Sequence, residues 1–322
     1  LTPDSNNGWV WKGEVYKEGA GTNGEWTSTA SADLRKSCDS TRYFWLTAAS
    51  GQSFRDNASK LTTALIYNSA NGVAISFTGG ITLFSLIAGG SGTGRLEVDG
   101  LQFTGPTATG NWLVNATLGS AKISNCIINN ASVRGLTSLI NVLAFQNKTE
   151  NFWLSPNYIT GIYFRNCTIV GNNATQAFNT RPSDSITVKN CAIFKVTAIA
   201  LDPAKVSSAN STYNATDLSS FGWTGTGNIV SKTYANQFEN TGSGTEDFRV
   251  KAGADLINAG IRDNTYTNDL DIVGSARGTG AVGTSTAPTI GAWEYAAAVT
   301  TTIYEFNSLN RGVGRGIARG IA

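Results

Sequence analysis

The chain has 322 residues, of which 24 are basic and 22 acidic, giving a formal net charge of +2; 14% are charged, 41% are apolar and 36 are glycine. So balanced a charge excludes whole-surface attraction to nucleic acid or acidic lipid, and the composition excludes both a disordered chain and a coiled coil. The absence of histidine removes Ser-His-Asp and Cys-His nucleophile systems, histidine general bases and histidine metal sites together.

The start, Leu1-Thr-Pro-Asp-Ser-Asn-Asn-Gly8, has no signal-like apolar segment, and with no methionine anywhere the sequence is expected to be trimmed, processed or incompletely known at its N-terminus. Strand-like fragments follow at Trp9-Val-Trp11, Arg42-Tyr-Phe-Trp-Leu46 and Thr63-Ala-Leu-Ile-Tyr67, separated by Gly-rich breaks. The spacing of Ala32, Leu34 and Cys38 predicts one short helix over about Thr29 to Cys38. We read residues 1–94 as an N-terminal cap with the first irregular coils, because a solenoid end exposes apolar core and unpaired strand edges that need covering. The longest apolar stretch, Ile81 to Ala88, falls short of the ~20 residues a bilayer requires, so no membrane span is expected.

A repeat begins next. Val98-Asp-Gly-Leu-Gln-Phe103, Ile123-Ser-Asn-Cys-Ile-Ile128, Phe164-Arg-Asn-Cys-Thr-Ile169 and Val188-Lys-Asn-Cys-Ala-Ile193 superpose without gaps. Their starts lie 25, 41 and 24 residues apart, so the unit is about 24 residues and the second interval carries about 17 extra within 129–161. A period of this size signals a solenoid. The β-branched segments bounded by Asn and Gly lack the L-x-x-L-x-L spacing of a leucine-rich repeat and fit a parallel β-helix better. Coils stacked ~4.8 Å apart would place Leu101, Cys126, Cys167 and Cys191 in one inward column, with cysteine acting as a small core residue rather than a redox or metal group. The neighbouring column, Gly100, Asn125, Asn166 and Asn190, falls at a turn; asparagine tolerates the left-handed conformation and can pass amide hydrogen bonds between coils. The extra residues, including Leu139-Ile-Asn-Val-Leu-Ala-Phe145 and Asn151-Phe-Trp-Leu-Ser-Pro156, read as one poorly matched coil with a long loop.

This pattern resembles the right-handed parallel β-helix (pectate-lyase-like) superfamily, of the kind found in phage structural and bacterial surface proteins. The likeness extends to the closing stretch: Asp247-Phe-Arg-Val, Ala254-Asp-Leu-Ile-Asn-Ala-Gly260, Asp269-Leu-Asp-Ile-Val-Gly-Ser-Ala-Arg277 and Ile290-Gly-Ala-Trp-Glu-Tyr295, with Thr289 where the signature has aspartate. It implies an all-β, right-handed parallel β-helix solenoid with an N-terminal cap, a body over 95–296 and an extended C-terminal arm over 297–322.

Members that cleave polysaccharide carry acidic residues and an Arg or Lys on one outward face. The equivalent column here, Asp99, Ser124, Arg165 and Lys189, has no carboxylate cluster, so no catalytic residue is assigned. Asp263, Asp269 and Asp271 lack the ligand spacing of an EF-hand and read as turn caps; no metal or cofactor is expected. Eight N-x-S/T sequons arise from an Asn- and Thr-rich composition.

The last residues repeat Arg311-Gly-Val-Gly, Arg315-Gly-Ile-Ala and Arg319-Gly-Ile-Ala322. Gly at this density opposes helix by about 1 kcal/mol per position, so we read an extended arm in which Arg311, Arg315, Ile317, Arg319 and Ile321 anchor a partner. Only Tyr304 and Phe306 are nearby aromatics, too few for a nucleic-acid reading. The expectation is a non-catalytic virion structural protein, a capsid decoration, tail or fibre component, anchored by this arm to other structural subunits. The resemblance implies a homo-oligomer, trimers being common among such proteins, in a virion or extracellular setting. The alternatives are a polysaccharide lyase or glycan-degrading, receptor-binding tailspike, and a cell-surface adhesin or filament subunit.

Overall fold

The computed structural model describes residues 10–17, 25–34, 43–78, 82–86, 94–105, 112–116, 119–146, 154–156, 162–176, 178, 185–199, 201, 203–262 and 269–295. The remaining positions lie outside the described residues, including Cys38, Asp263, and the proposed arm with Arg311, Arg315, Ile317, Arg319 and Ile321.

Short β-branched and aromatic segments broken by Gly and Asn give strands of two to nine residues. The first coil carries β1 (Val10–Val15), β2 (Glu25–Ser28) and β3 (Ala32–Leu34). The second carries β4 (Tyr43–Ala48), β5 (Ala74–Phe77) and β6 (Thr82–Leu86), and the third β7 (Gly94–Asp99), β8 (Gln102–Thr104) and β9 (Trp112–Ala116). Then come β10 (Gly119–Ser124), β11 (Ile127–Asn129), β12 (Ser132–Ile140), β13 (Leu143–Phe145), β14 (Leu154–Pro156), β15 (Ile162–Arg165), β16 (Thr168–Gln176), β17 (Ile186–Lys189), β18 (Ala192–Ala198) and β19 (Ala215–Thr216). All of these pair in parallel, each with its counterpart one coil away, in an eleven-stranded and an eight-stranded sheet. Among the described strands only β20 (Phe238–Asn240) and β21 (Asp247–Val250) pair antiparallel. The architecture is all-β and solenoid-like; helix among the described residues is confined to three-residue 3-10 turns.

The 41-residue interval resolves into two coils. Register partners run Val98, Ile123, Leu139, Phe164 and Val188, so successive starts are 25, 16, 25 and 24 residues apart. The supposed loop insertion therefore contains a complete short coil. β12 makes it short: Ser132–Arg134 pair with β9 and β14, Ser138–Ile140 with β10 and β15, so one strand serves two faces. Gly135, at φ +83, stands at that corner, where a side chain would be strained.

Two expectations are corrected. Ala32–Leu34 of the predicted helix is a strand, because pairing with Phe84–Leu86 outweighs a weak helical period. Thr63–Tyr67 forms no strand: Leu65 gives its backbone to the C-terminal region instead, its N–H donating to Asp247 Oδ1 at 2.9 Å and its carbonyl accepting from Phe248 N at 3.1 Å.

Two cores follow from the register. The inner one stacks Leu96, Val98, Ile123, Leu139, Phe164 and Val188 against Phe103, Ile128, Ile169 and Ile193, all essentially fully buried. The second lies on the outer face of the eight-stranded sheet, where Ile127, Leu143, Ala192 and Ala215 are covered by Phe238, Phe248, Leu256, Ile272, Ile290 and Trp293. Each large apolar side chain buried this way contributes about 1.5–3 kcal/mol. The chain after β19 thus returns along the solenoid as an added layer.

Candidate functional site

The file of turn residues organises the centre of the molecule. Gly100, Asn125, Asn141, Asn166 and Asn190 all have φ between +51 and +71, the left-handed region that Asn and Gly tolerate best. Asn141 is an added member of this file. Its Nδ2 donates to Asn125 Oδ1 at 3.2 Å, Asn125 Nδ2 donates to Asp99 Oδ1 at 2.7 Å, and Asn190 Nδ2 donates to Asn166 Oδ1 at 3.1 Å. Asn141 and Asn166 turn to the closing segment instead: Asn141 Nδ2 donates to Leu270 O at 2.7 Å and Asn166 Nδ2 to Asp269 Oδ1 at 3.2 Å. Asn190 is held the same way, accepting from Ile261 N at 2.9 Å.

The inward file beside it reads Leu101, Cys126, Val142, Cys167 and Cys191, all buried. Val142 separates Cys126 from Cys167, so only Cys167 and Cys191 belong to adjacent coils. The three thiols are free, and burial pushes those of Cys126 and Cys191 well above the ordinary thiol range. A thiol held protonated in an apolar interior is neither nucleophile nor metal ligand.

The outward column departs from expectation. By register it reads Asp99, Ser124, Ile140, Arg165 and Lys189. Asp99 Oδ1 accepts from Ser124 Oγ at 2.8 Å as well as from Asn125. Arg165 does not face solvent: it is 5% exposed, with Nη2 3.5 Å from Asp269 Oδ1. Further along the same face, half-buried aromatic rings at Tyr43 and Trp45 alternate with charged groups. Lys12 Nζ lies 5.0 Å from the Trp45 ring centroid, Arg95 Cζ 4.7 Å from that of Tyr43, and Tyr163 is 51% exposed.

Arg165 leads into a buried ionic cluster in the closing stretch. The Arg277 side chain is fully buried; Nη1 donates to Thr289 O at 3.2 Å and Glu294 Oε2 at 3.3 Å. Its Nη2 donates to Gly291 O at 2.9 Å, Ala292 O at 3.0 Å and Asn141 Oδ1 at 3.4 Å. Glu294 also accepts from Thr289 N and Gly278 N. Asp271 closes the adjacent turn, accepting from Val273 N at 3.0 Å, Ser275 N at 2.7 Å and Glu294 N at 3.0 Å. Burial raises the carboxyls of Asp271 and Glu294 above their ordinary range, against the pull of the Arg277 charge. Thr289, which stands where the closing signature has aspartate, accepts from Tyr295 N through Oγ1.

Gly291 shows how tightly this stretch is seated. A Cβ there would meet Thr168 Oγ1 at 2.8 Å, the same hydroxyl that accepts from Ala292 N at 2.9 Å. The signature residues Asp269, Leu270, Arg277 and Glu294 are thus gathered into one assembly over Asn141 and Asn166. Sequence reasoning left Arg277 and Glu294 without a role, although both stood in the quoted motif. Among the described residues no group of three or more His, Cys, Asp or Glu side chains is placed to hold a metal, and no helix is long and apolar enough to cross a membrane. No family model matches the chain, and no curated protein sequence matches it.

Proposed function

We propose that the chain is a non-catalytic structural subunit: a right-handed parallel β-helix carried on a virion or virion-like particle and attached to neighbouring subunits by its Arg-Gly arm. The observation that carries this reading is the placement of the chemistry-bearing side chains. Arg165, Asp269, Asp271, Arg277 and Glu294 are buried and committed to one another and to backbone groups of the closing stretch. A catalytic acid, base or electrostatic clamp has to reach a substrate; these groups hold a lid of chain onto a solenoid. Removing residues 305–322 tests the arm: the truncated chain should fold and fail to enter particles, and its incorporation at the full-length level would refute the anchoring role.

A second reading is favoured by the outward face. Flat aromatic groups at Tyr43, Trp45 and Tyr163, interleaved with Lys12 and Arg95, suit stacking against sugar rings, as a receptor-binding spike requires. Incubation with acidic glycans discriminates. Release of unsaturated uronate, read by ultraviolet absorbance, would establish a lyase; retention of intact glycan, lost in Trp45→Ala, would establish a binding face without chemistry.

A further inference from the structure

A cleft of about 360 Å³ opens on the outer side of the turn that Asp271 closes, between the loop after β4, the Gly100 turn and Val273-Gly274. Its walls include Thr47, Ser53, Arg55, Asp56, Lys60 and Asp99. The two carboxylates are engaged. Asp56 Oδ2 accepts from Ser53 N at 3.1 Å, and Asp99 Oδ1 accepts from Ser124 and Asn125. The cations have no direct ionic partner. Arg55 Nε is buried without a hydrogen-bond partner, and among the described residues no carboxylate stands within ion-pair distance of Arg55 or Lys60. Lys60 Nζ has a single bond, to the Arg55 carbonyl at 2.8 Å.

Both cations converge on one spot. The vacant Cβ position of Gly274, at φ +84, lies 3.4 Å from Arg55 Nη2, 3.9 Å from Arg55 Nε and 3.8 Å from Lys60 Nζ. Two like charges drawn toward one spot, one of them partly desolvated, repel, and Asp56 and Asp99 on the same walls offset this only from beyond ion-pair distance. Arg55 is also held in place. It sits in the 3-10 turn Phe54–Asp56, whose Phe54 is buried, whose Ser53 cap donates to Gly100 O at 2.7 Å, and whose Asp56 closes a capping box.

We propose that this cleft is an oxyanion site, in which the Arg55 fork and the Lys60 ammonium take a carboxylate, sulfate or phosphate group beside Gly274. Planar guanidinium matches such groups through two parallel N–H···O bonds, while lysine adds a point charge. The cleft volume sits at the lower end of small-molecule sites, enough for one oxyanion and the few atoms that carry it.

Titration calorimetry on the full chain tests it, using inorganic phosphate, sulfate and glucuronate separately at an ionic strength fixed with sodium chloride. At least one probe should saturate at one equivalent, and preference among the three identifies the class of group. Arg55→Gln should weaken that probe at least tenfold and Lys60→Gln at least threefold. Lys232→Gln, which removes a cation paired with Asp255 elsewhere, should leave binding unchanged. Near-ultraviolet circular dichroism checks that each variant is folded; should Arg55→Gln fail to fold, Lys60→Gln alone decides. The absence of saturation by all three probes, or wild-type affinity in the folded variants, overturns the proposal.

Discussion

Replacing Arg277 by methionine keeps much of the volume and removes the charge and the donors. Three carbonyls, those of Thr289, Gly291 and Ala292, lose a donor at 2.9–3.2 Å, and the Glu294 carboxylate loses its cation. Each buried acceptor left unsatisfied costs about 1–3 kcal/mol, but these acceptors share one site and their costs do not add. Removing one partner of a buried ion pair typically costs about 3–5 kcal/mol, and we take that as the expected loss. Native-state hydrogen exchange is the suitable assay, because a chain this long need not unfold in one step. The amides of Ile290 and Gly291, bonded to Leu256 O and Asn190 O, report on the closing stretch. At about 1.4 kcal/mol per decade, their exchange should accelerate by about 10² to 10³ or more. Adding Glu294→Gln to Arg277→Met removes the orphaned charge and should recover part of the loss. Acceleration below tenfold in the single variant would refute the view that Arg277 fastens the closing stretch.

Asn190→Ala should cost about 2–4 kcal/mol, combining left-handed backbone strain with the loss of bonds to Asn166 and Ile261, whereas Asn190→Gly should be milder by about 1 kcal/mol. Equal losses in denaturant titrations of the two would show that φ is not a constraint there. Alkylation with iodoacetamide under native conditions should leave Cys126, Cys167 and Cys191 unmodified, with full labelling in denaturant; mass spectrometry showing native modification of any of the three would contradict their sealed interior. A raised carboxyl pKa means that the folded state holds its proton more tightly than the unfolded chain, so stability grows as pH falls through the folded value and is lost as pH rises. Melting temperature should therefore rise in the wild type relative to Glu294→Gln on acidification from neutral toward the ordinary carboxylate range; a difference independent of pH would remove Glu294 as the titrating group.

The repeat was legible because side chains one coil apart share an environment, and the fixed offset from Val98 to Leu101, or Ile123 to Cys126, repeats that environment in the sequence. Leu139-Ile-Asn-Val escaped alignment because its coil is 16 residues long and places Val142 where neighbours have cysteine. Relaxing that position to any small or medium apolar residue recovers it. The second core also left a trace: Cys126-Ile-Ile128 and Val142-Leu-Ala-Phe145 are apolar at consecutive positions, the mark of a strand buried on both faces. What covers the outer face could not be read, because contacts such as Thr168 with Ala292 join residues over a hundred positions apart and carry no periodic signal. The Arg55 cleft was invisible for the same reason, its two cations meeting Gly274 from a distant part of the chain.

The returning layer changes how such a molecule comes apart. In a simple stack each rung leans only on its neighbours, so rungs can peel from a free end one after another. Here Phe54 and Leu65 near the front and Ala215 near the back belong to the same apolar belt as Trp293. Like a strap buckled along a pile of plates, the belt forces the rungs beneath it to be released together.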